Sequence, residues 1–447
     1  MAVNIFNTLT RTKTPFRPIV AGKVKMYLCG PTVYDEPHLG HARSAVVYDV
    51  IRRYLKTRGY TVTYVRNITD IDNKIIEKAN QRHQDYRKLS AHYIDRYHDV
   101  MAQLNVLSPD AEPKATEFIL PILDFISSLI QKGHAYTSSG NVYFAVQSFK
   151  AYGRLSGRSS HSSPEETLAV VGTGKQHPAD FALWRASKPW TPSWPSPWGR
   201  GRPGWHIECS AMSLKLLGEV FDIHGGGVDL IFPHHENEIA QSQSISGTSP
   251  ANYWIHNGLV QINGKKMSKS LGNYPALNDL LAVYPAGALR LLMLSKRYRH
   301  PLEFRPVALR SAVKNFARLE RFCSQWNVSP VAPAETSKRT GSLWSQFCFA
   351  MDDDFNFPMA LSVVFQGVRR INQILATASD VLRASECPEG IKTVVAEMAF
   401  ICRDILGIEF ETAVASVTGK HRKFQSNGKQ CTAQPSHLEG SPISSQS

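Results

Sequence analysis

The sequence predicts an α/β fold: a doubly wound parallel sheet that carries an inserted connective region and is followed by an all-α helical bundle. Three observations point there. A strand, helix, strand succession fills residues 24–68, a loop-rich stretch then interrupts strand-and-helix alternation, and from about residue 306 the apolar period is purely helical.

Taken in order, residues 24–30 (VKMYLCG) form an apolar run short enough for a buried strand. Residues 43–58 place Val46, Val47, Val50, Ile51, Tyr54 and Leu55 on one helical face, and Gly59 ends that helix. TVTYVRNI (61–68) is rich in β-branched residues and supplies the next strand. A helix is expected over 115–132, with Ile119, Ile122, Ile126, Leu129 and Ile130 in phase and Gly133 as its stop, then a strand over 141–146. Ser, Gly and His crowd 156–178 and Pro and Trp recur over 186–205, which marks an insertion. WHIECSAMSLKLL resumes a helix, FDIHGGGVDL reads as a strand running into a glycine turn, and HHENEIAQSQS opens another helix, so a second α/β half is expected. Beyond 306, three helices carry apolar residues at steps of three and four: Leu309 to Trp326, Leu361 to Leu375, and Ile391 to Ile405. From about 416 the chain is Ser, Gln, Gly, Lys and Pro with few apolar groups, and a disordered tail is expected.

Composition narrows the function classes. No apolar run reaches the length of a membrane span, and the N-terminus MAVNIFNTLTRTKT lacks the apolar block of a signal peptide. A cytoplasmic protein with no membrane association is expected. Seven cysteines without small-scaffold spacing argue against a disulfide framework. Lys and Arg number 51 against 37 Asp and Glu, a net charge of +14 that favours polyanionic partners, nucleic acid among them.

Two short stretches point to nucleotide chemistry. In CGPTVYDEPHLGH (29–41), His38 and His41 fall where a helix begins, and a helix start offers unpaired N–H groups and the positive end of its dipole to an anion. In KMSKS (266–270), Lys266 and Lys269 place two ammonium groups near each other, suited to charge building on phosphate oxygens. Either stretch alone has a plain reading, as a helix cap or a solvated basic loop; together they suggest ATP. A metal site is a further candidate. Cys29 ends the first strand, Cys209 lies on a later helix, and His234 and Glu238 share one face of the next. That spacing is dispersed, free cysteines are common in cores, and His235 and His224 are rival ligands that periodicity does not separate. Gly225, Gly226 and Gly227 suit either a tight turn or close approach to a base or ribose. Asp229 reads as a loop acid or a ligand for an ammonium group, and Trp205 as core or pocket.

The segments CGPTVYD, HLGH, RNITDIDNKI, SPWGRGRPGWHIECSAM, FDIHGGGVDLIFPHHENEIAQS, KMSKSLGN and MDDDFNF, in this order, resemble class I aminoacyl-tRNA synthetases and in particular the cysteinyl-tRNA synthetase family. The resemblance implies a Rossmann-like catalytic fold with its halves at 1–115 and 201–260, a connective insertion at 116–200, a KMSKS-bearing stem at 261–305, a helical bundle at 306–410 and an atypical tail at 411–447 in place of an anticodon-binding domain. It implies one Zn2+ per chain on Cys29, Cys209, His234 and Glu238, and Mg2+ with ATP. It assigns catalysis to His38, His41, Lys266 and Lys269, ATP binding to His38, Gly40, His41, Gly226, Asp229 and Lys269, and the amino-acid pocket to Thr69, Trp205 and Asp229. The implied partners are tRNA(Cys), ATP and L-cysteine, and a monomer is expected. Leu39, Asn73 and Phe357 depart from the family's usual residues without removing a proposed catalytic group. The tail gives two alternatives their footing: a ligase that joins cysteine to an amino sugar, and a noncatalytic RNA-binding paralogue.

Overall fold

A computed structural model describes residues 2–158, 174–267, 275–326, 329–333, 341–377 and 389–410. The expected tail at 411–447 and Lys269 lie outside the described residues. In chain order the strands are β1 (Asn4–Asn7), β2 (Thr12–Pro15), β3 (Lys23–Leu28), β4 (Thr61–Arg66), β5 (Ala135–Ser138), β6 (Asn141–Phe144), β7 (Phe181–Ala186), β8 (Gly201–Pro203), β9 (Phe221–Gly227), β10 (Ala251–Asn257), β11 (Val260–Ile262), β12 (Lys265–Lys266) and β13 (Leu302–Glu303).

The central sheet runs β10-β9-β3-β4, every pair parallel. The two α/β halves therefore join into one sheet at the β3–β9 seam. There the strand order reverses, and the carboxyl ends of β3 and β9 open a crevice, the usual ligand position in such sheets. Helix Leu39–Thr57 crosses from β3 to β4, and Glu236–Ser246 from β9 to β10. Strands β3 and β4 carry the same pattern of exposed and buried residues, ending in three buried positions, because both their faces are covered.

Helix Leu39–Thr57 is buried along nearly its whole length, including Arg43, Asp49, Arg52 and Arg53. Such burial is tolerated only with partners. Asp49 accepts hydrogen bonds from Arg53 (3.0 Å), Arg290 (2.6 Å) and the Leu107 amide (3.1 Å). Arg290 in turn donates to the carbonyl of Leu406 at 2.8 Å, joining helix Leu39–Thr57 to the end of the C-terminal helices. The acidic run at 352–354 makes similar ties: Tyr54 donates to Asp352 (2.6 Å), Tyr298 and Arg299 to Asp354 (2.7 and 2.8 Å), and the Phe6 amide to Asp354 (2.9 Å).

The interrupted region contains an antiparallel sheet, β5-β6-β7-β8, in which β7 lies almost wholly in the gap between the two stretches 156–178 and 186–205 and β8 within the second. β8 has only three residues, and the Trp and Pro around it mask any alternation. Helices Asn73–Gln81, Tyr86–Gln103 and Leu343–Asp352 add to those expected. Beyond 306 the described elements are all helical: Pro306–Ser324, Leu343–Asp352, Phe357–Thr377 and Glu389–Phe400, with a final wide turn at Ile401–Ile405. Among the described residues no single helix is long and apolar enough to cross a membrane; one pair, Leu277–Val283 and Ala286–Leu294, meets the length and composition only jointly, across a 119° bend.

Candidate metal centre and nucleotide cleft

Cys29 follows β3, Cys209 lies on helix Trp205–Leu217, and His234 and Glu238 flank the start of helix Glu236–Ser246. The fold brings one ligand atom from each within 4.8 Å of the others. The Cys29 and Cys209 sulfurs lie 3.7 Å apart, Cys29 Sγ lies 3.4 Å from Glu238 Oε1, and His234 Nε2 lies 3.1 Å from that same oxygen. Cys29 and Glu238 also form an overlapping group with His224 and His235, so both rival histidines are close by.

Several contacts separate the two groups. Glu238 turns Oε2 to His224 Nε2 at 2.9 Å and Oε1 to Cys29 and His234. His235 uses Nδ1 against His256 Nε2 at 2.8 Å, and its Nε2 lies 3.3 Å from Cys29 Sγ but 4.0 Å from Glu238 Oε1. His234 Nδ1 meets His206 Nδ1 at 2.9 Å, whereas its buried Nε2 faces Glu238 Oε1 at 3.1 Å. A buried nitrogen facing two sulfurs and a carboxylate suits a cation. The group with both thiols is thus the better soft-metal site, and His224 is placed to orient the carboxylate.

The protons report the same concentration of negative charge. The hydrogen bond from Cys29 outweighs burial and holds the Cys209 thiol down to about 6. Burial drives the Cys29 thiol up, and the neighbouring Cys209 and Glu238 add to that rise. Burial works against a charged His234, yet the Glu238 carboxylate and Cys209 push it up to about 10. Burial likewise opposes ionisation of Glu238, but His224 and His234 hold it well below the usual carboxylate range. His206 and His235 are pushed well down by burial, and His256 to about 3.

The first turn of helix Leu39–Thr57 builds the other end of the cleft. His38 is the N-cap in extended backbone: its Nδ1 accepts from the Gly40 amide at 3.1 Å, and His41 Nδ1 accepts from the His38 amide at 3.2 Å. This reciprocal cap stacks the two rings 3.8 Å apart. Because both Nδ1 atoms accept, each neutral ring carries its proton on Nε2, the donor a phosphate oxygen can use. Gly40 is required by the cap, since a Cβ there would lie 2.9 Å from His38 Cε1. Met267, the second residue of KMSKS, packs beside Gly40; Lys266 ends β12.

A cavity of about 490 Å3 joins the two ends, lined by Cys29, His38, Gly40, His41, Trp205 and Asp229 among others. Trp205 stacks on His234 with ring centroids 4.2 Å apart, so it is neither simple core nor free surface. Thr69 and Gly226 do not line this cavity. Thr69 is buried and donates to Glu208 Oε2 at 3.0 Å, and the Gly226 amide donates to Tyr48 Oη at 2.8 Å. Sequence reasoning missed Asn67, which accepts from the Gly30 amide at 2.9 Å and lies 3.6 Å from Cys209 Sγ. Its place just beyond β4, at a carboxyl end of the parallel sheet, was the available signal. It also missed the supporting roles of His206 and His256.

Comparison with known proteins now bears on this geometry. Residues 15–314 match the family described as tRNA synthetases class I (C) catalytic domain, and residues 346–408 match the DALR domain. The Cysteine-tRNA ligase of Pelobacter propionicus is 49% identical over 396 residues, spanning 85% of this chain and 80% of that protein. The chain belongs to the cysteine-tRNA ligase family. The family's enzyme from Trichlorobacter lovleyi is 46% identical over 412 residues, spanning 90% of this chain and 85% of its own. The Mycobacterium tuberculosis methionyl-tRNA synthetase in complex with methionyl-adenylate shares the fold at 15% identity and a TM-score of 0.62, covering 86% of this chain and 90% of that one. The catalytic match and the DALR match together set aside both the amino-sugar ligase and the noncatalytic paralogue.

Proposed function

We propose that Cys29, Cys209, His234 and Glu238 hold one zinc ion that selects the substrate thiolate, in a chain that ligates L-cysteine to tRNA(Cys) at the expense of ATP through a cysteinyl adenylate. The observation carrying this reading is the buried two-sulfur, one-imidazole, one-carboxylate cluster at the wall of the ATP-sized cleft. When bound, zinc supplies a soft acceptor that takes a thiolate far better than a hydroxyl. Ordinary pocket contacts separate cysteine from serine poorly, so a sulfur-seeking site gives discrimination without editing.

The chain's own residues account for the rest. Glu238, oriented by His224, and His234, oriented by His206, present fixed donors. Trp205 covers His234 and closes that side of the pocket, while Asp229 at its rim is placed for the substrate ammonium. Thr69 acts from behind, through Glu208. His38 and His41 offer Nε2–H groups to the triphosphate as the cysteine carboxylate attacks the α-phosphate, with Mg2+ accompanying pyrophosphate. Lys266 and Lys269 add positive charge, Gly40 permits the cap, and Gly226 lets Tyr48 brace the strand beneath the nucleotide. The terminal ribose hydroxyl of tRNA then takes the cysteinyl group and AMP leaves. The domain division given from the resemblance, 1–115 and 201–260 as catalytic halves around 116–200, with 261–305 as stem and 306–410 as bundle, serves this scheme. Charging of tRNA(Cys) with cysteine tests it. Cysteine-dependent ATP–pyrophosphate exchange followed by transfer to tRNA(Cys) is expected; exchange equally supported by serine would contradict the metal's role.

A further inference from the structure

Arg43 lies two residues past His41 and is completely buried. Its guanidinium has five N–H donors, and every hydrogen bond it makes goes to a backbone carbonyl. Nε donates to Gly258 (3.2 Å), Nη1 to Met293 (2.8 Å), and Nη2 to His300 (2.8 Å), Tyr298 (3.3 Å) and Arg297 (3.4 Å). Among the described residues no carboxylate pairs with it. A buried charge balanced by carbonyl dipoles alone is costly, and burial lowers the Arg43 pKa to about 10. The location of those carbonyls gives the charge a purpose.

Gly258 lies two residues before β11, and residues 293–300 run from the end of helix Ala286–Leu294 to two residues before β13. Strand β11 pairs with β13 on one edge and with β12 on the other, so the carbonyls Arg43 gathers are the two roots of the small sheet that ends in Lys266. The roots are also tightly joined to each other: the Gly258 amide donates to Tyr298 at 2.7 Å, and a Cβ on Gly258 would lie 2.3 Å from the His300 carbonyl oxygen. At its far side the sheet holds Met267, whose amide donates to the Val260 carbonyl at 3.1 Å.

We propose that Arg43 is a positioning residue for adenylation: its guanidinium fixes the β11–β12 hairpin, and with it Lys266, to the helix whose first turn is His38 to His41. The two ATP-binding signatures then keep one relative position because a single side chain grips both supports. This inference rests on the ATP reading above. Lysine keeps the charge but lacks the planar fork, so it cannot hold two segments at once.

The test compares zinc-loaded wild type with Arg43→Lys, Gly258→Ala and, as a stability control, Arg52→Lys, a buried arginine of the same helix that bonds to the Ser108 carbonyl and Asp110. The readouts are cysteine-dependent ATP–pyrophosphate exchange, zinc content and Tm. Arg43→Lys is expected to lower kcat/KM for ATP about 10- to 100-fold while KM for cysteine and zinc content change less than about twofold. Gly258→Ala disturbs the same junction from the other side and should show the same split, which keeps the test decisive if Arg43→Lys does not fold. Arg52→Lys should lower Tm and leave exchange per folded molecule unchanged. ATP kinetics of Arg43→Lys like wild type, or parallel losses for ATP and cysteine with loss of zinc, would overturn the inference. Absence of exchange in wild type would instead overturn the ATP reading itself, and this inference with it.

Discussion

The candidate metal cluster, Cys29, Cys209, His234 and Glu238, draws its side chains from distant parts of the sequence, is mostly buried and reaches the cleft through Cys29; the other end of the cleft is made of His38, Gly40 and His41, consecutive or nearly so and set by one helix cap. The metal end is built by tertiary folding, and two of its four candidate ligands are oriented by a further residue, His206 for His234 and His224 for Glu238. The ATP end is built by local geometry, a reciprocal cap that needs only one glycine and two imidazoles. On the proposed reading, selectivity for the amino acid depends on the β3–β9 seam, whereas nucleotide binding depends on a first helical turn and the hairpin beside it.

Breaking either end separately is the sharpest way to probe this contrast. Cys209→Ser should remove a soft ligand and lower kcat/KM for cysteine by about 10³-fold or more, with nucleotide binding, followed by equilibrium dialysis of ATP, retained. Lys269→Ala or His41→Asn should lower adenylate formation by about 10²-fold while cysteine still binds, as measured by single-turnover kinetics and calorimetry. Equal losses for both substrates in either variant would erase the distinction between the ends. Between them lies the seam, where a Cβ on Gly225 would sit 2.3 Å from Tyr48 Cε1. Tyr48 is held by bonds to the Ile255 carbonyl (2.6 Å) and the Gly226 amide (2.8 Å) and has little room to yield. Gly225→Ala should therefore cost about 1–3 kcal/mol in denaturant unfolding and weaken both ends together.

The smallest effect is expected on the cleft wall, where Glu112 holds both Arg66 (2.7 Å) and His98 (2.5 Å). The hydrogen bond to Glu112 raises the His98 pKa above its ordinary value. A group raised on folding contributes stability that is complete below its unfolded pKa and fades as pH rises through the folded one. Burial opposes ionisation of Glu112, but His98 and Arg66 lower its pKa, so its contribution fades as pH falls through that lowered value. His98→Asn should then lower Tm most between those limits and leave it nearly unchanged at alkaline pH, an effect of a few tenths of a kcal/mol because His98 is half exposed.

The same contrast decided what could be read from the chain. HLGH was legible as a helix start because its residues are contiguous and His38 caps the helix, while residues 268–270 of KMSKS lie outside the described residues. The helix after β3 was legible from Val46, Val47, Val50 and Ile51, all buried in the fold. The metal end resisted. Four-residue spacing put His234 and Glu238 on one face but left His224 and His235 as equal candidates; in the fold the two oxygens of Glu238 face different partners, which favours the group with both thiols. Strands β7 and β8 escaped because Trp184 and Pro203 pair across a ladder that sequence spacing does not reveal. Arg43 carries no motif that singles it out in the sequence, and only the five converging carbonyls give it a role. Helices Asn73–Gln81 and Tyr86–Gln103 start at Asp72 and Asp85, side-chain caps that were available in the sequence but lay outside any strong apolar stripe.

The central claim is that Cys29, Cys209, His234 and Glu238 bind a thiophilic metal that senses the substrate's sulfur. Its most direct test is the absorption spectrum of protein loaded with Co2+ in place of zinc, recorded before and after adding cysteine or serine. The account predicts a thiolate-to-cobalt band in the loaded protein that is lost in Cys209→Ser. It also predicts a change in that band and in the visible d–d region with cysteine and none with serine. A loaded protein without a thiolate band, or one whose spectrum ignores cysteine, would contradict it.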